Sequence, residues 1–358
     1  ASRCLSADVV HLFVDISSHG LGHLAQTAPV LNALRAAEPR LRLTIRSGLA
    51  RERLARRIDG DFEHIHEASD FGFVMSNALD VDLPASAERY REFHANWPAR
   101  VRRESETLTA IAPDAVLSDV AYLPLAGAAA AGIPAMALCS LNWADLPFHY
   151  FQHEAWLGPV HKQILSAYRS ARSFLRTTPG MPMLDLQNVV AIGPIAAAPG
   201  LRRAEVARRL ALPEDRRWVL IALGGFDFPL PVDNWPRRND VLWLRPEAIA
   251  HGDVPFNDLL ASADAVVTKP GYGTFVEAAV HGVPLLYLRR PDWPEEPCLI
   301  DWLHGHARAA EISRAQAMRG DLLPALDALW ALPAPPPPAA TGIAQTVSVL
   351  RSHMSSAA

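Results

Sequence analysis

Residues 267–296 read VTKPGYGTFVEAAVHGVPLLYLRRPDWPEE. The apolar run Ala265-Val266-Val267 ends at the turn Lys269-Pro270-Gly271-Tyr272-Gly273-Thr274. A helical pattern runs from Phe275 to a stop at Gly282, and a second apolar run covers Val283 to Leu288. Strand, glycine turn, helix, strand is one βαβ unit, with the turn at the carboxyl end of its first strand. Open parallel sheets bind ligands at that edge. Gly271 and Gly273 let backbone come close to a ligand, and the unpaired N–H groups of a helix start attract anions. Glu277 lies about one turn into the helix and can reach back over the turn. A carboxylate there can accept from both vicinal hydroxyls of a ribose. A plain αβ turn with a solvent-facing glutamate has the same spacing.

The alternation of strand and helix extends in both directions. Residues 9–16, VVHLFVDI, are a continuous apolar run of the kind buried in parallel sheets. They lead through Ser17-Ser18-His19-Gly20-Leu21-Gly22-His23 into an amphipathic helix over 24–37. Strands are expected at 41–45, 62–66, 114–118 and 134–140, and helices at 51–58 and 125–131. A long helix over 85–111 should bend at Pro98. The stretch 70–84 has no clear period. A second α/β series starts with a strand at 218–223 closed by Gly224-Gly225. It continues through a strand at 241–244 and a helix at 256–262 to the βαβ unit. The whole pattern predicts an α/β protein with two doubly wound sheets. The expected division is a first domain over 1–190, a linker over 191–200 and a second domain over 201–333. A proline-rich spacer and a terminal helix over 334–358 would pack back towards the first domain.

Composition narrows the function class. At 358 residues the chain exceeds one ordinary core. Half of it is apolar and a fifth charged, a normal globular balance. A net charge of −4, with no basic block, argues against nucleic acid as a partner. Three scattered cysteines, Cys4, Cys139 and Cys298, point to a reducing compartment and offer no CxxC metal site. There is no run of transmembrane length and no signal-peptide pattern, so a cytoplasmic location is expected.

The candidate chemistry lies at strand ends. Gly20 and Gly22 permit a tight turn that sets His23 at the ligand edge, where an imidazole titrating near neutrality can take a proton from a hydroxyl. His19 either joins that site or supports the loop. Gly224 and Gly225 offer bare backbone to a diphosphate. Beyond the opening unit, Arg289-Arg290 can fork onto phosphate, and Glu295 and Glu296 can hold sugar hydroxyls; a surface salt-bridge cluster is the plainer alternative. Asn142, Trp143 and Asp145 follow the strand ending at Ser140, where the indole either stacks on a sugar or packs as a lid. Phe148, His149, Tyr150 and His153 lack convincing metal spacing, and no bound metal or cofactor is expected.

These motifs together resemble the GT-B glycosyltransferases: a G-x-x-G-H-type turn after the first strand, and E-A-x-x-x-G-x-P in the second half. Gly271, Thr274 and Glu277 share the spacing of the donor turn of the bacterial peptidoglycan GlcNAc transferases. A closer resemblance is to the glycosyltransferase-like N-terminal half of the plant L-arabinokinases. It lies at HGLGH (19–23), LSDV (117–120), GYGT (271–274) and RRPDWPEEP (289–297). No counterpart of the kinase half's phosphate loop occurs, so the resemblance carries no expectation of arabinose phosphorylation. Pro270, Tyr272 and the Arg289-Arg290 pair depart from the peptidoglycan enzymes, which leaves the donor open.

The resemblance implies a GT-B fold, two Rossmann-like domains facing across a cleft. It implies a metal-independent hexosyl- or pentosyltransferase, with a nucleotide-diphosphate sugar as co-substrate and a small-molecule or glycoconjugate acceptor. The donor would meet Gly224, Gly225, Leu244, Arg245, the turn Gly271-Tyr272-Gly273-Thr274, Glu277, Arg289, Glu295 and Glu296. The acceptor side would be His19, Gly20, Gly22, Asp119, Asn142, Trp143 and Asp145, with His23 as general base. A nucleotide-sugar hydrolase or epimerase, and a non-catalytic sugar-nucleotide sensor, remain as alternatives.

Overall fold

The structure, a computed structural model, describes residues 10–224, 228–245 and 254–355. Two wholly parallel sheets organise the chain. The first holds β1 (His11–Ile16), β2 (Arg42–Ser47), β3 (Glu63–His66), β4 (Ala115–Asp119), β5 (Ala135–Cys139), β6 (Ser173–Arg176) and β7 (Val189–Ala191). Their order is β3-β2-β1-β4-β5-β6-β7. The second holds β8 (Arg217–Ala222), β9 (Val241–Leu244), β10 (Ala265–Thr268), β11 (Leu285–Leu288) and β12 (Ala309–Ile312), ordered β12-β11-β10-β8-β9. Every residue of β1, β4, β5, β10 and β11 is buried, as continuous apolar runs covered on both faces by helices require. The buried Arg46 of the first sheet is paired. The Arg46 guanidinium donates to Asp15 Oδ2 at 2.6 Å and to both oxygens of Glu104 at 2.6 and 2.9 Å.

Each sheet reverses its winding once, and those reversals position the site. In the first sheet the chain runs from β1 to β2 and β3 on one side and to β4 on the other, so the crevice opens between the carboxyl ends of β1 and β4. In the second sheet the same reversal falls between β8 and β10. The helices that follow β1 (Gly22–Ala37) and β10 (Tyr272–Val280) pack against each other at their starts. A β-carbon on Gly273 would come within 2.9 Å of Ala25 Cβ.

Several sequence expectations change in detail. The long helix over 85–111 is two helices, Leu83–His94 and Trp97–Ile111. Pro98 sits in the first turn of the second, where its missing N–H costs nothing, instead of bending one continuous helix. The aperiodic stretch 70–84 includes a bridge between Met75 and Val81. Its tip drives Ala78 and Leu79 into the apolar cluster of the second sheet, and Arg314 clamps Asp80 there with bonds of 2.6 and 2.8 Å. The stretch read as a linker starts at the last residue of β7, and 192–202 follow without helix or strand. The final helix, Gly342–Ser355, lies along Gly22–Ala37, where Leu350 and Met354 enter the core. Among the described residues no helix is long and apolar enough to cross a membrane.

Candidate functional site

On the first sheet, Ile16 of β1 stands opposite Asp119 of β4, so both strands end level with each other. Gly20, at φ +91°, turns the chain back into the helix at Gly22. That places His23 in the first turn, buried over the end of β4. Its Nδ1 lies 2.8 Å from Asp119 Oδ1, and Thr27 donates to Asp119 Oδ2 at 2.7 Å. With Asp119 ionised, Nδ1 carries the proton and Nε2 is left as the base. Burial pulls the imidazole pKa down, but the charge and hydrogen bond of Asp119 outweigh it and the net shift is upward. Asp119, expected on the acceptor side, is therefore the partner that orients His23. No sequence signal joins two residues 96 positions apart; only the sheet order does.

Around the pair, Asp70 accepts from Ser17 Oγ at 3.0 Å and from the Trp143 indole N–H at 2.7 Å. Burial raises its pKa. Trp143 is buried, and the His19 ring meets it edge-on at 5.2 Å while stacking on Trp293 at 5.9 Å. Burial, with the charges of His23, Arg290 and Lys269, pushes the His19 pKa well down, so His19 is neutral. Asn142 accepts from the backbone N–H of Ala144 and of Asp145, each at 2.8 Å, and its amide donates to the Asp145 carboxylate. Asn142 and Asp145 thus build the turn that carries Trp143. Cys139 Sγ lies 3.7 Å from His23 Nδ1. Among the described residues, two groups bring potential metal-ligand atoms within 4.8 Å of one another: His23, Asp119 and Cys139, and Asp145, His161 and Asp185.

The second sheet supplies the opposite wall. Thr268, the last residue of β10, pairs with Ala222 of β8, and Lys269 follows immediately. Gly224 is at φ +92°, a conformation that favours glycine, and Gly271 stands just before the helix. Lys269 Nζ lies 3.8 Å from where a β-carbon on Gly224 would be and 3.9 Å from the corresponding point on Gly271. Lys269 is absent from the expected site residues; its place directly after a strand and just ahead of Gly271 is the signal that could have found it. Gly225 lies outside the described residues. Glu277 is buried, with Oε1 accepting from Arg57 Nη1 at 2.7 Å and Oε2 buried without a partner among the described residues. Thr274 is half-buried in the first turn of the helix, and Gly22 opens the facing helix.

Six of the expected donor-side residues have partners or surroundings of their own within the protein. Tyr272 is buried between the halves, its hydroxyl accepting from the Ile195 N–H at 2.9 Å and facing the Thr178 carbonyl at 3.3 Å. Tyr272→Phe should lower stability by about 1–3 kcal/mol, because the Ile195 N–H loses its acceptor. Nucleotide affinity should stay within about twofold, checked by chemical denaturation beside calorimetric titration. Leu244 belongs to the apolar core, and Arg245 pairs with Asp233 at 3.2 Å on the exposed edge. Arg289 is held by Glu296, which also accepts from the backbone N–H of Arg290, so this pair staples the loop after β11. Arg290, not Arg289, turns inward, buried against the Trp293 ring at 4.1 Å. Glu295 spans the two halves, accepting from Ser140 Oγ at 2.6 Å and from the Trp293 indole at 3.2 Å.

No family model matches the chain. It is 27% identical over 329 residues to an L-arabinokinase of Arabidopsis thaliana, across 87% of this chain and 31% of that protein. The chain therefore spans about a third of the length of that relative. Among solved structures it is similar to a calicheamicin glycosyltransferase, at 17% identity and a TM-score of 0.57 over 97% of this chain and 95% of the other. Arabidopsis thaliana UGT89C1 complexed with UDP matches at 15% identity and a TM-score of 0.57 over 97% and 99%. A UDP-N-acetylglucosamine 2-epimerase matches at 13% identity and a TM-score of 0.53 over 98% of each chain. The chain has the GT-B fold, and the expected resemblance to GT-B glycosyltransferases and to the plant L-arabinokinases holds.

Proposed function

We propose that the protein transfers a glycosyl group from a nucleotide-diphosphate sugar to the hydroxyl of an acceptor. The observation that carries this reading is the His23–Asp119 pair at one switch point, set against the glycine turns of the other. In the step proposed, His23 Nε2 takes the hydroxyl proton as the acceptor oxygen attacks the anomeric carbon. The bond from that carbon to the diphosphate breaks, and the leaving group keeps the electron pair. Asp119 stabilises the imidazolium that forms. One in-line displacement inverts the anomeric configuration. The buried, unpaired Oε2 of Glu277 supports placing the ribose at the helix Tyr272–Val280, because a ribose hydroxyl would satisfy that oxygen.

The likeness to an epimerase favours one rival reading, chemistry on the sugar nucleotide without an acceptor. A thermal-shift series over nucleoside diphosphates and their sugars should first identify the nucleotide, since a ligand of the native state raises stability by RT ln(1 + [L]/Kd). Turnover of that donor should then be slow without an acceptor, and EDTA should leave it unchanged. Fast acceptor-free hydrolysis or epimerisation would replace the transferase reading. A strict Mg²⁺ or Mn²⁺ requirement would remove the metal-free mechanism.

A further inference from the structure

We infer that Asp145, His161 and Asp185 form a zinc site that ties the turn carrying Trp143 to the structure around it. The inference stands apart from the glycosyl-transfer reading, because its ligands include neither His23 nor the donor turns.

Three separate segments bring the ligands together. Asp145 opens the short helix Asp145–Phe151, His161 lies in the helix Leu157–Ser170, and Asp185 lies in a turn shortly before β7. One ligand atom of each lies within 4.8 Å of those of the other two. Among the described residues none of the three side chains is hydrogen-bonded to or ion-paired with another, so direct bonding does not account for their convergence. A tetrahedral zinc ion holds nitrogen and oxygen at about 2.0–2.2 Å, with its ligand atoms roughly 3.4 Å apart. Each side chain need move less than about 1 Å to reach that spacing. The sequence around His149 and His153 gave no such signal, because these ligands are scattered along the chain.

Each ligand is oriented by a neighbour and keeps an atom to offer. The Asn142 amide donates to Asp145 Oδ2 at 2.8 Å, which leaves Oδ1. An outer partner of that kind aims a metal-binding carboxylate. The Phe148 ring packs on His161 with centroids 5.0 Å apart, and His161 Nε2 is buried without a partner among the described residues. A metal ion would satisfy that nitrogen. Arg169 holds the backbone carbonyl of Asp185 at 2.8 and 3.1 Å and leaves its carboxylate exposed. The exposed carboxylate gives an ion its way in.

The ligand set selects the ion. Two carboxylates and a neutral imidazole balance one divalent cation, and without it the carboxylates repel each other. A nitrogen ligand disfavours calcium and magnesium, which prefer oxygen throughout. Zinc takes nitrogen and oxygen together, and three protein ligands leave one position to water. Bound there, the ion joins the Trp143 turn to the helix Leu157–Ser170 and to the loop before β7. Its effect falls on stability and leaves the proton transfer at His23 alone.

The test uses the full chain, stripped with EDTA and titrated calorimetrically with Zn²⁺ and, separately, with Ca²⁺. Wild type should take up one Zn²⁺ per chain and bind Ca²⁺ far more weakly. His161→Ala and Asp185→Asn should each weaken Zn²⁺ binding by about a hundredfold or more, beyond the loss of an outer partner. Zn²⁺ should raise the melting temperature of wild type and leave both variants where they are, as expected of a ligand of the native state. Co²⁺ in place of Zn²⁺ should give the visible absorption of a four-coordinate ion in wild type alone. Asp185→Asn alters an exposed carboxylate that makes no hydrogen bond among the described residues. It should fold as well as zinc-free wild type, and it carries the test if His161→Ala does not fold. Zn²⁺ bound equally by wild type and variants would place the ion elsewhere and overturn the site. No uptake by wild type, or Ca²⁺ bound as tightly as Zn²⁺, would overturn it as well.

Discussion

His23→Asn should lower turnover by about a hundredfold or more, the usual contribution of a general base, while nucleotide affinity changes little. Asparagine is the informative replacement. Its amide can occupy the position of Nδ1 and still donate to Asp119, whereas nothing replaces Nε2. His23→Ala would instead take a hydrogen-bond partner from the buried Asp119 carboxylate, adding a fold defect to the chemical one. The pH dependence follows from sign. A base must be unprotonated, and the pKa of His23 is raised, so turnover should climb with pH through a midpoint above the ordinary 6.5. Asp119→Asn removes the charge that raises it, and the midpoint should move down. The pair's contribution to stability has the opposite sense: it is present below the unfolded pKa and fades as pH rises through the folded one. If rate and affinity fall together in His23→Asn, His23 holds a ligand or the loop instead.

What sequence made legible was set by range. The apolar runs of β1, β4, β5, β10 and β11 are buried on both faces, so composition alone marks them. The turns at Gly20 and Gly271 carry local signals at strand ends, and the structure sets them at facing switch points. The remainder depends on contacts across the chain. The His23–Asp119 pair, the Ser140–Glu295 bridge and the Arg57–Glu277 pair span 96, 155 and 220 positions, which no periodicity reports. Tyr272 looked like a donor residue because it lies in the right turn. Its side chain, though, leaves that turn on the face that meets Ile195. Arg289 and Arg290 are adjacent and chemically alike, and only the fold decides which faces in. Short elements such as β6 and β7, four and three residues long, lack the length for a clear pattern.

Glu277→Gln should weaken nucleoside diphosphate binding by about tenfold to a hundredfold, through the loss of one charge-assisted bond to a ribose hydroxyl. The geometry permits this, since Oε2 is buried and unpaired while Oε1 is already taken by Arg57. That same ion pair means the substitution is not silent in the free protein. Glutamine keeps an acceptor for Arg57 but loses the charge, and Arg57 reaches solvent enough to soften the cost. A destabilisation of about 1–2 kcal/mol is expected, below that of breaking a fully buried pair. Arg57 also separates the two roles of the carboxylate. If Glu277 serves only to tie the halves together, Arg57→Gln should reproduce the loss of affinity. If Glu277 holds the ribose, Arg57→Gln should share the stability defect and keep most of the binding. A ligand without the 2′-hydroxyl completes the comparison. Wild type and Arg57→Gln should both bind it more weakly than the ribonucleotide, and Glu277→Gln should barely distinguish the two. Equal discrimination by all three proteins would show that Glu277 does not touch the ribose.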